Sequence, residues 1–187
     1  MVRITKPIEE RRKEIIDTAR ILFVNKGYDE TAISDIATNI NIASGLIYHY
    51  FKSKKLLFYA VIDEIVMEEA VLKEKIISEC SGQAKECLKL LFAQKASHFE
   101  KYGKLLASFE NDQTLICYVE KKKGASIESL IISLIDRGNK DGSWNCKYVK
   151  ETTALILYGI NGINEFNEPV LNDIISRILN ANLESSI

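Results

Sequence analysis

Residues 44–50 form a short predicted helix whose outward side chains suit contact with a polyanion. Ile47, Tyr50 and the following Phe51 are predicted to face inward. The other side chains face outward, small near the start and aromatic or polar further along: Ser44, Gly45, Leu46, Tyr48 and His49. A helix of this kind can enter a DNA major groove and place polar atoms against base edges.

The preceding residues position this helix. Apolar residues recur at three- and four-residue spacing over residues 33–40, which predicts a helix at about 33–39. Residues 40–43 then form a tight turn, in which Asn41 is expected to adopt the left-handed backbone conformation that Asn tolerates well. Thr31 is predicted to be the N-cap of the first of these helices, and Ser53 the N-cap of the helix that follows the pair. Residues 31–55 therefore predict a helix–turn–helix.

Composition predicts an all-α protein. The 187 residues include two prolines and nine glycines, and helix-forming residues dominate. A first helix is predicted from the stripe Ile15, Ile16, Ala19, Leu22 and Phe23. A fourth, from Lys54 into the late 70s, would span roughly 37 Å, with an inner face of Leu57, Val61, Ile62 and Ile65 and an outer face of Glu64, Glu68, Glu69 and Lys73. Further helices are predicted at about 83–101, 104–110, 113–137, 147–165 and 169–182, which makes about nine in total.

Hydropathy and the spacing of histidines and cysteines argue against a membrane protein, a secreted protein and a metalloprotein. No apolar run is long enough to span a membrane and no secretory signal is visible, so a cytoplasmic protein is expected. The two histidines lie far apart and the four cysteines form no CxxC pair, so no metal site is expected. Cys80 and Cys87 are predicted to lie on one helix roughly 10 Å apart, too far for a disulfide within a chain. An intersubunit disulfide stays open.

Charge is distributed unevenly along the chain. Residues 1–60 hold ten Lys and Arg against seven Asp and Glu, a net charge of +3, whereas the rest carries −4. A basic head on an acidic body is typical of a protein whose first part meets phosphate, although a difference of this size is common by chance.

Several segments of the first third of the chain resemble the DNA-binding head of the tetracycline-repressor (TetR) family of transcriptional regulators. The segments that carry the resemblance are Ile15-Ile16-x-x-Ala19-x-x-Leu22-Phe23, Lys26-Gly27-Tyr28, Thr31-x-x-Ser34-x-Ile36-Ala37 and Ile47-Tyr48-His49-Tyr50-Phe51-x-Ser53-Lys54-x-x-Leu57. The chain departs from the family pattern at Asn41 (usually Gly), at Ala43 (usually a capping Ser or Thr) and at Leu46 (often a hydroxyl residue). Ala43 cannot cap the helix that follows it.

The resemblance implies a division at about residue 53. Residues 1–53 would be a three-helix head with its motif at about 31–50. Residues 54–187 would be a larger helical bundle for effector binding and dimerisation, joined to the head by the fourth helix. Phosphate contacts would come from Tyr48, Lys54 and the backbone and hydroxyl of Thr31. Ser44, Gly45, Leu46 and His49 would lie nearest base edges.

The body is expected to hold an effector pocket and a dimer interface, and no cofactor. The pocket candidates are the aromatic residues and the single histidine of its middle helices: Phe92, His98, Phe99, Tyr102, Phe109 and Tyr118. The interface candidates lie on the last two helices: Leu155, Gly159, Gly162, Leu171, Ile174, Ile175 and Ile178.

The family resemblance implies a homodimeric repressor that a small-molecule effector releases from a near-palindromic double-stranded DNA operator. A regulator that responds to oxidation of Cys80 and Cys87 is the alternative. A helical enzyme is a further alternative, against which stands the absence of a catalytic motif.

Overall fold

The computed structural model describes residues 6–107, 112–161 and 168–180, and all regular secondary structure within these ranges is α-helical. Eight helices occur within these ranges: α1 Ile8–Lys26, α2 Ile33–Asn39, α3 Ser44–Tyr50, α4 Lys54–Glu79, α5 Ala84–Ala107, α6 Gln113–Asp141, α7 Val149–Asn161 and α8 Glu168–Asn180. The predicted all-α fold is confirmed. The predicted bounds of α2 and α3 match the observed ones at both ends.

Helices α1, α2 and α3 form the head around one apolar core. The whole stripe predicted for the first helix is buried: Ile15, Ile16, Ala19, Leu22 and Phe23. Ile36 of α2 and Ile47 of α3 have no exposed surface and complete this core. Because α2 and α3 have only seven residues each, burial of these side chains stabilises them more than helix propensity does.

The turn between α2 and α3 has the predicted backbone geometry. Asn41 has a φ of 53°, in the left-handed region. The N–H of Asn41 donates to the carbonyl of Thr38 at 3.2 Å, and that of Ile42 donates to the carbonyl of Ala37 at 3.0 Å. The turn therefore satisfies the last carbonyls of α2 within its own backbone, and it reverses the chain within four residues.

Helix α4 begins at the predicted cap and buries the predicted inner face. The hydroxyl oxygen of Ser53 accepts from the N–H of Leu56 at 3.1 Å. The buried residues of its first half include all four predicted ones: Leu57, Phe58, Val61, Ile62 and Ile65. The predicted outer face is wrong at Glu69 and Lys73, which are each only 8% exposed and pair with each other at 2.6 Å. They are buried because α5 covers this side of α4, with His98 Nε2 lying 3.3 Å from a Glu69 carboxylate oxygen.

Packing divides the chain into two compact units. The first contains Met1–Ile65 and Lys101–Cys117, and the second contains Val66–Glu100 and Tyr118–Ile187. The division falls at Ile65 and not at residue 53, because the first half of α4 completes the core of the head. Phe58 illustrates this, with its ring centroid 5.7 Å from that of Phe23 and 4.8 Å from that of Tyr28.

The core of the second unit is organised around Trp144, which follows the end of α6. Its indole N–H donates to the carbonyl of Ile135 at 2.9 Å, and its ring lies where a Cβ on Gly138 would be. Only glycine at position 138 allows this approach, since any larger residue would overlap the ring. Asn139 fixes the same segment by accepting from the N–H of Cys146 at 2.7 Å and donating to its carbonyl at 2.9 Å.

Helix α5 differs from the prediction. The sequence predicted a break at Gly103 between two helices, at 83–101 and 104–110, but α5 is continuous to Ala107. A single glycine inside a helix costs about 1 kcal/mol. The flanking Tyr102 and Leu105 are both buried, and their burial outweighs that cost.

The relation predicted for Cys80 and Cys87 is also wrong. The two residues form a disulfide within the chain, with Cα atoms 5.7 Å apart. The prediction failed because it placed both cysteines on one helix. In fact α4 ends at Glu79 and α5 begins at Ala84, so the chain reverses between the two cysteines.

No helix in the ranges described is sufficiently long and apolar to cross a membrane. Within the same ranges, no group of three or more His, Cys, Asp or Glu residues is placed to share a metal ion.

Candidate nucleic-acid interface

Helix α3 presents the predicted outward face. Leu46 is 38% exposed and Tyr48 is 47% exposed, and Gly45 and His49 are exposed as well. Ile47 is fully buried between them. The exposure predicted for this face is confirmed for these four residues, while Ser44 is half-buried.

The inward side of α3 was predicted almost correctly. Phe51 is buried, and the guanidinium of Arg12 lies 5.2 Å from the centroid of its ring. Tyr50 is only half-buried and packs edge-on against His49, with ring centroids 5.6 Å apart. Arg12 of α1 therefore packs against the residue that follows α3, and the burial of Ile47 fixes the direction of the outer face of α3.

The start of α3 lacks a side-chain cap, as the alanine at position 43 predicted. Ala43 has φ −75° and ψ 139°, the extended conformation of an N-cap residue, but no side-chain hydrogen bond caps the helix. The Ala43 carbonyl accepts from the N–H of Leu46 at 2.9 Å. The backbone geometry is therefore ready for a capping hydroxyl that this sequence does not supply.

The predictions for Thr31 are wrong in two respects. The N-cap of α2 is Ala32, whose N–H donates to the Asp35 carboxylate at 3.2 Å. Thr31 is fully buried, and its hydroxyl donates to the carbonyl of Gly27 at 2.8 Å. The hydroxyl thus closes the α1–α2 connection from inside and is not available to a phosphate.

Lys54 lies at the edge of the head in a well-defined environment. Its ammonium nitrogen donates to the carbonyl of Asp29 at 3.1 Å and lies 4.4 Å from the centroid of the Tyr28 ring. Burial lowers the pKa of Lys54 from its ordinary value, while the charges of Asp29 and Glu30 act in the opposite direction. An ammonium group has three donors, so one committed to Asp29 leaves others that can reach a phosphate.

The neighbouring lysines differ from Lys54 in their environment. Lys55 forms an ion pair with Asp112 at 3.2 Å, and this hydrogen bond raises the pKa of Lys55. Lys52, in the link between α3 and α4, is exposed. Sequence reasoning passed over Lys52, which lies two residues after the end of α3.

The residues predicted to line an effector pocket are distributed between both units. In the second unit Phe92 is buried in the core and Tyr118 is half-buried. In the first unit Tyr102 is buried, and its hydroxyl accepts a hydrogen bond from Arg20 of α1. Phe109 and the side chain of Phe99 lie outside the described residues.

His98 lies with Glu69 and Lys73 in a set of polar side chains between α4 and α5. Together with Gln94, one helical turn before His98 on α5, we call these residues the buried polar cluster. The Glu69–Lys73 pair is nearly inaccessible, and the His98 side chain is 10% exposed. The carbonyl oxygen of Gln94 is buried and accepts no hydrogen bond within the described part of the chain. Burial of so many polar groups requires compensation, which here comes in part from the ion pair.

The predicted dimer residues separate into exposed and buried groups. Leu155 is 66% exposed and Ile174 is 45% exposed, and Gly159 is exposed too. The assignment of Ile175 to an interface is wrong, because its side chain is buried in the core of the second unit. Ile178 is half-buried. Gly162 and the side chain of Leu171 lie outside the described residues.

Comparison with known proteins finds similar sequences over the head. Residues 15–61 match the family described as "Bacterial regulatory proteins, tetR family". The transposon Tn10 TetC protein of Escherichia coli is 36% identical over 64 residues, which are 34% of this chain and 32% of that protein. The biofilm operon icaADBC HTH-type negative transcriptional regulator IcaR of Staphylococcus aureus (strain Newman) is 45% identical over 47 residues, 25% of each chain. These alignments cover a third or less of the relatives' own length.

The resemblance of the fold extends over most of the chain. A solved transcriptional regulator of the TetR/AcrR family from Thermobifida fusca superposes with a TM-score of 0.67. The superposition covers 92% of this chain and 98% of that one at 24% sequence identity. At this identity the likeness establishes a shared fold beyond the head.

Because α3 lacks a side-chain cap at Ala43, introducing one should stabilise the protein. Ala43→Ser should stabilise the protein by about 1 kcal/mol, because the new hydroxyl can accept from a free N–H in the first turn of α3. The measurement is chemical denaturation of both proteins. Ala93→Ser, at an exposed position inside α5, is the control and should destabilise by about 0.5 kcal/mol. Equal or lower stability of Ala43→Ser would show that the first turn of α3 does not accept the cap.

Proposed function

Because the chain belongs to the TetR family of bacterial regulatory proteins, we propose that it binds double-stranded DNA and regulates transcription. The protein is a regulator and not an enzyme. One observation carries the proposal above all others: α3 buries Ile47 and exposes Leu46, Tyr48 and His49 on its other side. An exposed face of this kind on a short helix is the part that a helix–turn–helix protein inserts into the major groove.

The dimensions and side chains of α3 fit such a groove. Seven helical residues are about 10 Å long, and the major groove is about 12 Å wide. Gly45 has no atom within 4 Å of where a Cβ would lie, so the backbone itself can approach the groove wall. Leu46 offers only apolar surface, which suits the methyl group of thymine. Ser44 and His49 supply hydrogen-bonding groups for base edges.

Phosphate contacts would flank this face. We assign them to Tyr48, whose side chain is exposed on the outer face of α3, and to Lys54. The ammonium of Lys54 is oriented by Asp29 and Tyr28. The Thr31 hydroxyl is no longer among the proposed phosphate contacts, because it donates a hydrogen bond to the carbonyl of Gly27 inside the head. Such contacts fix the register on DNA and supply affinity that falls with salt.

A homodimer is the second part of the proposal, since one head reads too few base pairs to be selective. Exposed apolar residues on α7 and α8 support an interface there, namely Leu155, Val170 and Ile174. Exposed Gly159 allows a partner helix to approach closely. A two-fold dimer would meet near-palindromic half-sites about 34 Å apart, or a multiple of that distance.

Repression and release by an effector complete the proposal. The name of the staphylococcal relative describes a negative regulator, which favours repression here. The buried polar cluster supports an effector site in the second unit, because the Gln94 carbonyl needs a donor that a polar ligand can supply. Since α4 contributes to both units, a ligand bound differently in two positions of α4 would shift the population of DNA-binding dimers.

An effector found by a thermal-shift screen tests that last part. A compound that raises the melting temperature of the wild type should have a reduced effect on Gln94→Leu, because this variant lacks the acceptor. It should act normally on Lys75→Ala, at an exposed position of α4. An undiminished shift in Gln94→Leu would place the effector elsewhere.

Selection of bound sequences from random duplex DNA tests the proposed function directly. The wild-type protein should enrich a near-palindrome with half-sites about one helical turn apart or a multiple of it. Enrichment of no sequence would contradict the proposal.

The variant Ile174→Asp tests the proposed dimer interface by sedimentation and by the same selection. It places a charge in the exposed apolar face of α8. This variant should sediment as a monomer and enrich at most a single half-site. Ser176→Asp, at an exposed polar position of the same helix, should remain dimeric. A dimeric Ile174→Asp would place the interface on another surface.

The salt dependence of operator binding tests Lys54. Lys54→Ala should weaken binding to all sequences and lower the slope of log affinity against log salt by about one per subunit. Lys75→Ala provides a matched control at the far end of α4 and should leave the slope unchanged. Unfolding midpoints of both variants exclude a loss of folded protein. An unaltered slope for Lys54→Ala would show that Lys54 does not touch phosphate.

A further inference from the structure

Cys80 and Cys87 occupy opposite sides of the reversal between α4 and α5. Their Cα atoms are 5.7 Å apart, within the range that a disulfide spans without backbone movement. Cys87 in the first turn of α5 has no exposed surface, whereas Cys80 just after α4 is half-buried. Cys80 is therefore the more accessible of the two residues to a reagent from solvent.

The reversal itself is held by α6. Arg137 donates to the carbonyl of Cys80 at 2.7 Å and also to the carbonyl of Gly82. The Asp141 carboxylate accepts from the N–H of Ala84 at 2.7 Å, at the start of α5. These bonds do not involve either sulfur, so they can hold the two cysteines close together whether or not the disulfide is formed.

We propose that Cys80 and Cys87 form a reversible thiol–disulfide site that couples oxidation to DNA binding. The proposal rests on the proposed function, because a protein that regulates transcription works where glutathione keeps structural disulfides rare. In such a reducing compartment, a disulfide between neighbouring cysteines more often senses oxidation than stabilises the fold. The half-buried Cys80 reacts first, because it is the more accessible of the two, and the buried Cys87 resolves.

The chemistry balances with a hydroperoxide as the oxidant. The Cys80 thiolate attacks the O–O bond, which breaks and releases an alcohol or water, and Cys80 becomes a sulfenic acid. The Cys87 thiolate then attacks the Cys80 sulfur, the S–S bond forms, and the sulfenic oxygen leaves as water after taking up a proton. Two thiols lose two electrons and one peroxide gains them. Two molecules of reduced glutathione reverse the change and leave as glutathione disulfide.

The bond would act on DNA binding through α4. This helix is continuous from Lys54, four residues after α3, to Glu79, the residue before Cys80. A covalent bond at its end restricts where α4 can lie relative to α5. If the two oxidation states differ in operator affinity by some factor, operator DNA must shift the disulfide–glutathione equilibrium by the same factor.

Peptide mapping of the full-length protein tests the site. Reduced protein is treated with hydrogen peroxide, its remaining thiols are alkylated, and it is digested with trypsin without reduction. Cleavage after Lys75, Lys85 and Lys89 should give peptide 76–85 joined to peptide 86–89 through their cysteines. Excess reduced glutathione should abolish this pair. A pair that resists glutathione, or a bond that involves Cys117 instead, would overturn the proposal.

Operator affinity tests the coupling. The dissociation constants of reduced and oxidised wild type for the selected duplex should differ by about fivefold or more. Cys80→Ser should show one constant under both conditions, and Cys87→Ala should do the same. Cys117→Ser, which removes an exposed free thiol, should behave as the wild type. Equal constants for both forms of the wild type would overturn the coupling. Failure of the reduced protein to bind any duplex would instead contradict the proposed function.

Discussion

The burial of Ile47 is the constraint on which the candidate DNA-binding surface depends. A helix of seven residues is not stable alone, so its orientation is set by the side chain that it places in the core. Ile47 has no exposed surface, and residues 46, 48 and 49 must therefore face outward. The left-handed turn at Asn41 delivers the chain to this position. If another residue of α3 were buried in place of Ile47, the helix would rotate and different side chains would face outward.

The head was predictable because its determinants are local. The spacing of Ile33, Ile36 and Ala37, the tolerance of Asn41 for positive φ and the hydroxyl of Ser53 each act within a few residues. Thr31 was misjudged because a threonine before a helix resembles an N-cap in sequence. Its hydroxyl in fact bonds back to Gly27, across the connection from α1. The partners of Lys54 were missed because they are not local in sequence, since Asp29 lies 25 residues away.

The body was less predictable because contacts between distant helices decide its details. Glu69 and Lys73 look like a solvated pair on a helix face, but α5 covers them and adds His98. Gly103 looks like a helix end, but α5 continues through it. Cys80 and Cys87 would be far apart on one continuous helix, but they are adjacent because the chain reverses direction between α4 and α5. In each case the sequence pattern was compatible with two arrangements, and tertiary packing selected one of them.

Methylation of bound DNA by dimethyl sulfate measures directly whether α3 enters the major groove. The reagent methylates guanine N7 in the major groove and adenine N3 in the minor groove. If α3 enters the major groove, the protein should protect guanine N7 in both half-sites of a selected duplex, at positions about 34 Å apart or a multiple of it. Adenine N3 should stay reactive at those positions. Protection of adenine N3 with guanine N7 left reactive would contradict the entry of α3 into the major groove.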